Sequence, residues 1–342
     1  MEETHTTLKE WQKLYEAAIE FRKLEPWKWM HETDIFGVQN PKTGEIGYCC
    51  IMGELGEVLA MAVYRGTEGL QGYKNIQNGS IDIKDPDSLF VQDCLMLSFE
   101  NKRYVHEDDR EVINELGLKF KGKNAWPVFR SYRPGYFPWF LNRDEIIYMT
   151  FVVEQAINVC LRAKDNWRIL LAPKKDFYLV RQPEIKNGLL TWKDSWMLPK
   201  PIEVRQKKPV FNIDESKIEE IKSKLSFSTN IWEIDFFYSP VPINQGERPF
   251  FPYSLIVIDH DSGLINFMHI AEPFKYQKEF VDKFIEFLAT KGIKPLEILV
   301  RKEEVKKFLE PFSSVLNIKL TLKKKLGNVE HARKELFKFF KR

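Results

Sequence analysis

Asp235 stands inside an apolar run, WEIDFF, where a carboxylate needs a reason. Enzymes that cleave phosphodiesters hold two divalent cations between converging carboxylates, because the attacking and leaving oxygens both need their charge neutralised. Asp259, at the end of FPYSLIVID, and the cluster HEDDRE at 106–111 are further acids that could serve such a site. Their settings point to plainer work. Asp259 reads as the support of the turn at Asp261, Ser262 and Gly263, and HEDDRE as a helix cap followed by an acidic first turn. His31 to Asp34 and the run from Asp259 to Asp261 read as turn chemistry as well. Asp235 is left as the one weak catalytic candidate.

No His-x-x-x-His pair, phosphate-binding lysine loop or serine elbow occurs, and the glycines of 53–72 lack the G-x-G-x-x-G spacing. Cys49, Cys50, Cys94 and Cys160 show no C-x-x-C spacing, so buried reduced thiols are expected. No metal site and no cofactor follow from these residues.

Two other constellations could bind rather than react. In 126–140, Trp126, Phe129, Tyr132, Tyr136 and Trp139 alternate with Arg130 and Arg133, and three prolines and a glycine argue against a regular element there. Aromatic faces beside guanidinium groups can stack bases or hold anions, or the rings can simply pin a loop over a core. Arg130, Arg133, Tyr136 and Trp139 are the ligand-binding candidates. The second constellation is the tail: residues 319–342 hold nine Lys/Arg against two Glu, in a chain of net charge +3. Its last helix places Val329, Ala332, Leu336, Phe339 and Phe340 inward by periodicity, with Arg333, Lys334, Lys338 and Lys341 outward as candidate nucleic-acid contacts. A solvated helix face is the plainer alternative, and a protein partner on that helix is another.

The elements that must position these residues are punctuated clearly. Thr7 and Glu10 form a capping box for a helix that stops before Pro26. A hairpin follows at 34–53 with its turn at 40–44, then a strand (EVLAMAVYRG), a glycine-dense passage and a short helix stopped by Gly117. Asn142 and Glu145 open a long helix, and WRILLA, DFYLVRQP and GLLTWKD read as strands. The proline- and lysine-rich stretch 198–209 has no periodicity and marks a domain boundary near 205. Beyond it come a helix near 214–224, strand IWEIDFFYS, the hairpin 251–270, helix 275–290 stopped by Gly292, strand LEILV, helix 303–315, strand IKLTL and the last helix.

At 342 residues, 44% hydrophobic and with 26 Phe, 12 Tyr and 9 Trp, the chain has material for two cores. Its start is acidic and without an apolar segment, so no signal peptide is expected. The most apolar run, from Ile146, meets Glu154 after eight residues, short of the roughly 20 that a membrane helix needs. A cytoplasmic protein that does not engage a membrane is expected.

The order of strands and helices over 230–342 resembles the ribonuclease H-like fold of nucleases, integrases and transposases. That resemblance implies a first metal-binding aspartate at Asp235 and a second carboxylate at the end of the fourth strand, where this chain has Arg301. The segments EPWKWM, DIFGVQNPKTGEIGYCCIMGELGEVLAMAVYRG and FRSYRPGYFPWFL resemble those of a bacterial family of two-domain proteins over about residues 8–200. It implies architecture and carries no activity.

The expected fold is an N-terminal α+β domain with a mainly antiparallel sheet at 1–204. A C-terminal three-layer α/β domain of ribonuclease H-like topology follows at 205–342. Two functions are expected: a non-catalytic binding or scaffold protein, or a metal-dependent phosphodiesterase with an atypical carboxylate site.

Overall fold

The computed structural model describes residues 6–80, 90–202, 211, 213–273 and 275–340. The chain divides into two compact units, one of Met1–Pro134 and Pro138–Glu203, the other of Gly135–Phe137 and Val204–Arg342. The expected boundary at 204/205 lies outside the described residues. The mixture of α+β and α/β classes expected for the two halves holds.

The first unit opens with α1 (Leu8–Leu24), whose Thr7 and Glu10 form the expected reciprocal cap. Strands β1 (Phe36–Gln39), β2 (Ile46–Met52), β3 (Ala60–Arg65), β4 (Cys94–Glu100), β5 (Trp126–Tyr132), β6 (Tyr178–Lys186) and β7 (Leu189–Met197) form one sheet in the order β5-β4-β3-β2-β1-β6-β7. Every pairing is antiparallel except β1 with β6. Alternation along β2 feeds two cores. Cys49 and Ile51 face α1 and α4 (Arg143–Asp165), while Ile46, Tyr48 and Cys50 face α2 (Gly66–Gln77). Each large apolar side chain so buried contributes about 1.5–3 kcal/mol. Helix α4 is long and apolar enough to cross a membrane, yet 61% of its most apolar window is buried in the unit, as befits a core helix.

Three elements differ from the expectation. The glycine-dense passage is helix α2, because its glycines remove bulk: a Cβ at Gly69 would lie 2.6 Å from the Asp93 carbonyl oxygen. WRILLA is one 3₁₀ turn, Trp167–Leu170, started by the Asn166 side chain accepting from the Arg168 N–H. The stretch from Trp126 is strand β5 despite Pro127. It is the sheet's edge strand, where a missing N–H need leave no ladder bond broken.

In the second unit, α5 (Glu215–Lys222) and the two-residue β8 (Ser226–Phe227) lead to a central strand β9 (Ile231–Tyr238). β10 (Tyr253–Asp259) and β11 (Ile265–Ala271) follow it as an antiparallel meander. Then come α6 (Tyr276–Lys291), β12 (Ile293–Lys294), β13 (Glu297–Val300), α7 (Glu303–Leu316), β14 (Lys319–Leu322) and α8 (Gly327–Phe340). The sheet order is β11-β10-β9-β13-β14, with β9, β13 and β14 parallel. β8 and β12 form a parallel pair that stands apart. Helices α5, α6 and α7 bury Trp232, Ile234 and Phe236 on one face, and α8 covers Phe237, Ile256 and Ile258 on the other. The result is three layers.

Candidate functional site

The residues with most chemistry lie on the α8 face of the second unit's sheet. Alternation along β9 sends Trp232, Ile234 and Phe236 to one side and Glu233, Asp235 and Phe237 to the other. Val300 pairs with Ile234 on one flank and Leu322 on the other, so the next residues, Asp235, Arg301 and Lys323, continue as a row across three parallel strands. Lys323 keeps that row by donating its N–H to the Val300 carbonyl at 2.8 Å. Arg301 and Lys323 stand at the carboxyl ends of β13 and β14, and Asp235 in the middle of β9, beside the point where strand order reverses, near which open α/β sheets usually hold ligands.

Asp235 is 1% exposed. One oxygen accepts the Phe236 N–H at 2.9 Å, and the other lies 3.5 Å from an Arg301 Nη2. The Lys302 ammonium donates to the Phe236 carbonyl, and the Arg333 guanidinium sits 4.9 Å from the Phe237 ring centroid. Burial pushes the Asp235 carboxyl above its ordinary value, against the opposing pull of Lys302, Arg301 and Arg333. A divalent cation brought here would meet one buried carboxylate and three positive charges. Among the described residues no three His, Cys, Asp or Glu side chains stand close enough to share a metal ion.

Glu233, two residues earlier, is the carboxylate that sequence reasoning missed. It is 1% exposed and accepts the N–H groups of Asn328 and Val329, each at 3.1 Å, and bonds His260 Nδ1 at 2.7 Å. The only signal in the sequence was its place on the Asp235 face of an apolar strand. Asp259 does support its turn, accepting the Ser262 N–H at 2.9 Å and the Ser262 hydroxyl at 2.7 Å, which hold its carboxyl below the ordinary value.

The aromatic and arginine candidates are not brought to one site. Arg130 makes two bonds to Asp109, at 3.0 and 2.6 Å, and stacks 4.6 Å from the Phe140 ring. Arg133 donates to Glu145 at 3.0 Å. Trp139 exchanges backbone bonds with Ser131, and its ring packs on Phe140. Tyr136 belongs to the second unit, under the Arg248 guanidinium. Carboxylates of the first unit hold both guanidinium groups, and Asp109 is itself 6% exposed.

On α8, Lys334 and Lys338 are exposed as expected, and Lys338 pairs with Glu335 at 2.6 Å. Arg333 is corrected from outward to inward. It lies one helical turn beyond Val329, is 7% exposed and covers Phe237. Phe339 turns out instead, 71% exposed. Lys341 lies outside the described residues. The exposed Lys323, Lys324 and Lys325, just before α8, add cations that the charge of the tail includes but that no local pattern places beside Arg301.

Two family models divide the chain between them. The one described as Domain of unknown function (DUF7309) matches residues 11–181. The one described as Domain of unknown function (DUF6930) matches residues 217–337. None of the curated proteins compared with the chain matches it.

Proposed function

The chain belongs to the family described as Domain of unknown function (DUF7309), and on that premise we propose that it is a non-catalytic, cytosolic binding protein whose second unit engages nucleic-acid phosphates. The observation that carries this reading is the row Asp235, Arg301, Lys323, which runs from the middle of β9 across the carboxyl ends of β13 and β14. A meander of three antiparallel strands followed by two parallel ones supports the ribonuclease H-like reading of this half. In such an enzyme the row would have to supply converging carboxylates for metal ions. Here cations occupy it, Lys324 and Lys325 follow Lys323 directly in the chain, and Lys334 is exposed on α8. Such a surface attracts phosphates and repels the metal, which sets the phosphodiesterase alternative behind the binding role.

Calorimetric titration with Mg²⁺ and Mn²⁺ separates the two readings. The binding role expects no saturable heat; saturable millimolar-or-tighter binding that disappears in Asp235→Asn returns the site to phosphodiester chemistry. Anisotropy of a labelled DNA duplex should in turn show affinity falling linearly with salt on logarithmic axes. Replacing Lys323, Lys324, Lys325 and Lys334 by alanine should flatten that slope by about 0.9 for each phosphate no longer neutralised. An oligonucleotide that stays free at low salt removes the nucleic-acid role.

A further inference from the structure

The two large sheets expose four edge strands, β5, β7, β11 and β14. An open edge is a row of unpaired N–H and C=O groups that templates pairing with another chain, and monomeric proteins blunt such rows with charge, proline or bulges. Three of these edges are blunted. β5 carries Pro127 and Arg130, β7 carries Lys193 and Asp194 at its middle, and β14 starts with Lys319 and runs into Lys323, Lys324 and Lys325. β11 has neither charge nor proline: INFMHIA contains no Lys, Arg, Asp, Glu or Pro over seven residues, and its one irregularity is the register shift at its first residues, where Ile265 faces Ile258 and Phe267 faces Val257.

Its side chains are also apolar where they meet solvent. Ile265, Met268 and Ile270 are 49%, 37% and 47% exposed, while Phe267 and His269 pack toward α6 through Phe287 and Glu279. Among the described residues, none bonds to the backbone of Asn266, Phe267, Met268, His269 or Ile270 from outside the sheet.

We propose that β11 is the pairing edge of a two-fold dimer, in which β11 of a second copy runs antiparallel to it and joins the two five-stranded sheets into one. The chemistry selects a second copy. A two-fold axis normal to the sheet keeps each side chain on its own face, so facing positions must have the same parity. Centred on Met268, the pairing sets Met268 against Met268 and Phe267 against His269, and no like charges meet. The same operation on β7, centred on Lys193, would set lysine against lysine, which destabilises a cross-strand pair. Self-association is thus disfavoured at the blunted edges and open at β11.

Strand-to-strand pairing is a small interface, so dissociation in the micromolar range, on the order of 10 μM, is expected. Sedimentation of the full chain from about 1 to 200 μM should show a monomer–dimer equilibrium in that range. Met268→Lys and Met268→Glu, at a half-exposed position, should each keep the thermal transition and weaken association by about tenfold or more through like charges at the axis. Mixing the two variants should restore the dimer, because Met268 faces itself. Leu322→Lys, on β14, should leave association unchanged. A monomer throughout the concentration range overturns the proposal and leaves β11 to a strand of another protein. A dimer indifferent to both Met268 variants, or two variants that stay monomeric when mixed, overturns it equally.

Discussion

Glu145 accepts from four donors at once: the Asn142 N–H at 3.0 Å, Arg65 Nη1 at 2.9 Å, the Ser131 hydroxyl at 3.0 Å and Arg133 Nη2 at 3.0 Å. Burial pushes its carboxyl up, but these partners outweigh burial and hold it below its ordinary 4.5. A carboxylate whose folded pKa lies below its unfolded one contributes stability at neutral pH and loses it as pH falls from about 4.5 through the folded value. Glu145→Gln should therefore cost about 3 kcal/mol at pH 7, where Arg65 is left buried and short of a partner. The gap to the parent chain should narrow near pH 3, as urea midpoints at the two pH values would report. An equal gap at both would remove the carboxylate's charge from the explanation. Half of this arrangement was legible. Asn142 three residues before Glu145 announces a capping box, whereas Arg65 is 80 positions away and reaches Glu145 only because the sheet aligns the end of β3 with the end of β5 across the start of β4. Arg130 is the same case, since Asp109 reads locally as a first-turn acid and its partner lies 21 positions on.

Helices α1 and α4, the turn at Gly263 and the stop at Gly292 were legible because each is decided within a few residues by a cap or a left-handed glycine. Helix α8 was legible in extent but not in how it starts. The residue before it, Leu326, has no side-chain oxygen, so the first-turn N–H groups of Asn328 and Val329 are met by Glu233 from the neighbouring strand. A buried carboxylate at a helix N-terminus is stabilised by both the bonds and the macrodipole. Glu233→Ala should cost about 2 kcal/mol and speed hydrogen exchange along α8 ahead of the other helices of the unit. Glu233→Gln, which keeps an acceptor, should lose less. Uniform exchange across the unit in Glu233→Ala would show that α8 is held by its apolar face alone. Inverting Arg333 and Phe339 was the matching error of periodicity: a 3.6-residue repeat leaves the flank positions of a helix undecided, and Phe237 below took the guanidinium.

At the scale of the molecule, two units were legible from the change in composition, but not that the second unit includes Gly135–Phe137. That tripeptide exchanges backbone bonds with the second unit: Phe251 N–H to the Gly135 carbonyl at 2.8 Å and Phe137 N–H to the Pro249 carbonyl at 2.9 Å. No local pattern announces a three-residue excursion of this kind. A fragment of 205–342 lacks it and should still melt cooperatively, on a core of its own, yet be less stable by about 1–3 kcal/mol than the same fragment with a 134–138 peptide bound in excess. A fragment indifferent to the peptide would make the tripeptide a bystander. The four thiols bear on how the first unit comes apart, since all are free and buried within it. Cys49 and Cys160 sit in the core under α1 and α4, Cys50 and Cys94 in the core under α2. Burial raises the Cys50, Cys94 and Cys160 thiols to about 12 and pushes the Cys49 thiol well above its ordinary value, so none offers a thiolate to a reagent while the unit is closed. An alkylating reagent thus becomes a stopwatch with two hands: the order in which the two pairs are labelled tells which layer lifts off the sheet first, unconfounded by the other unit, which has no cysteine to react.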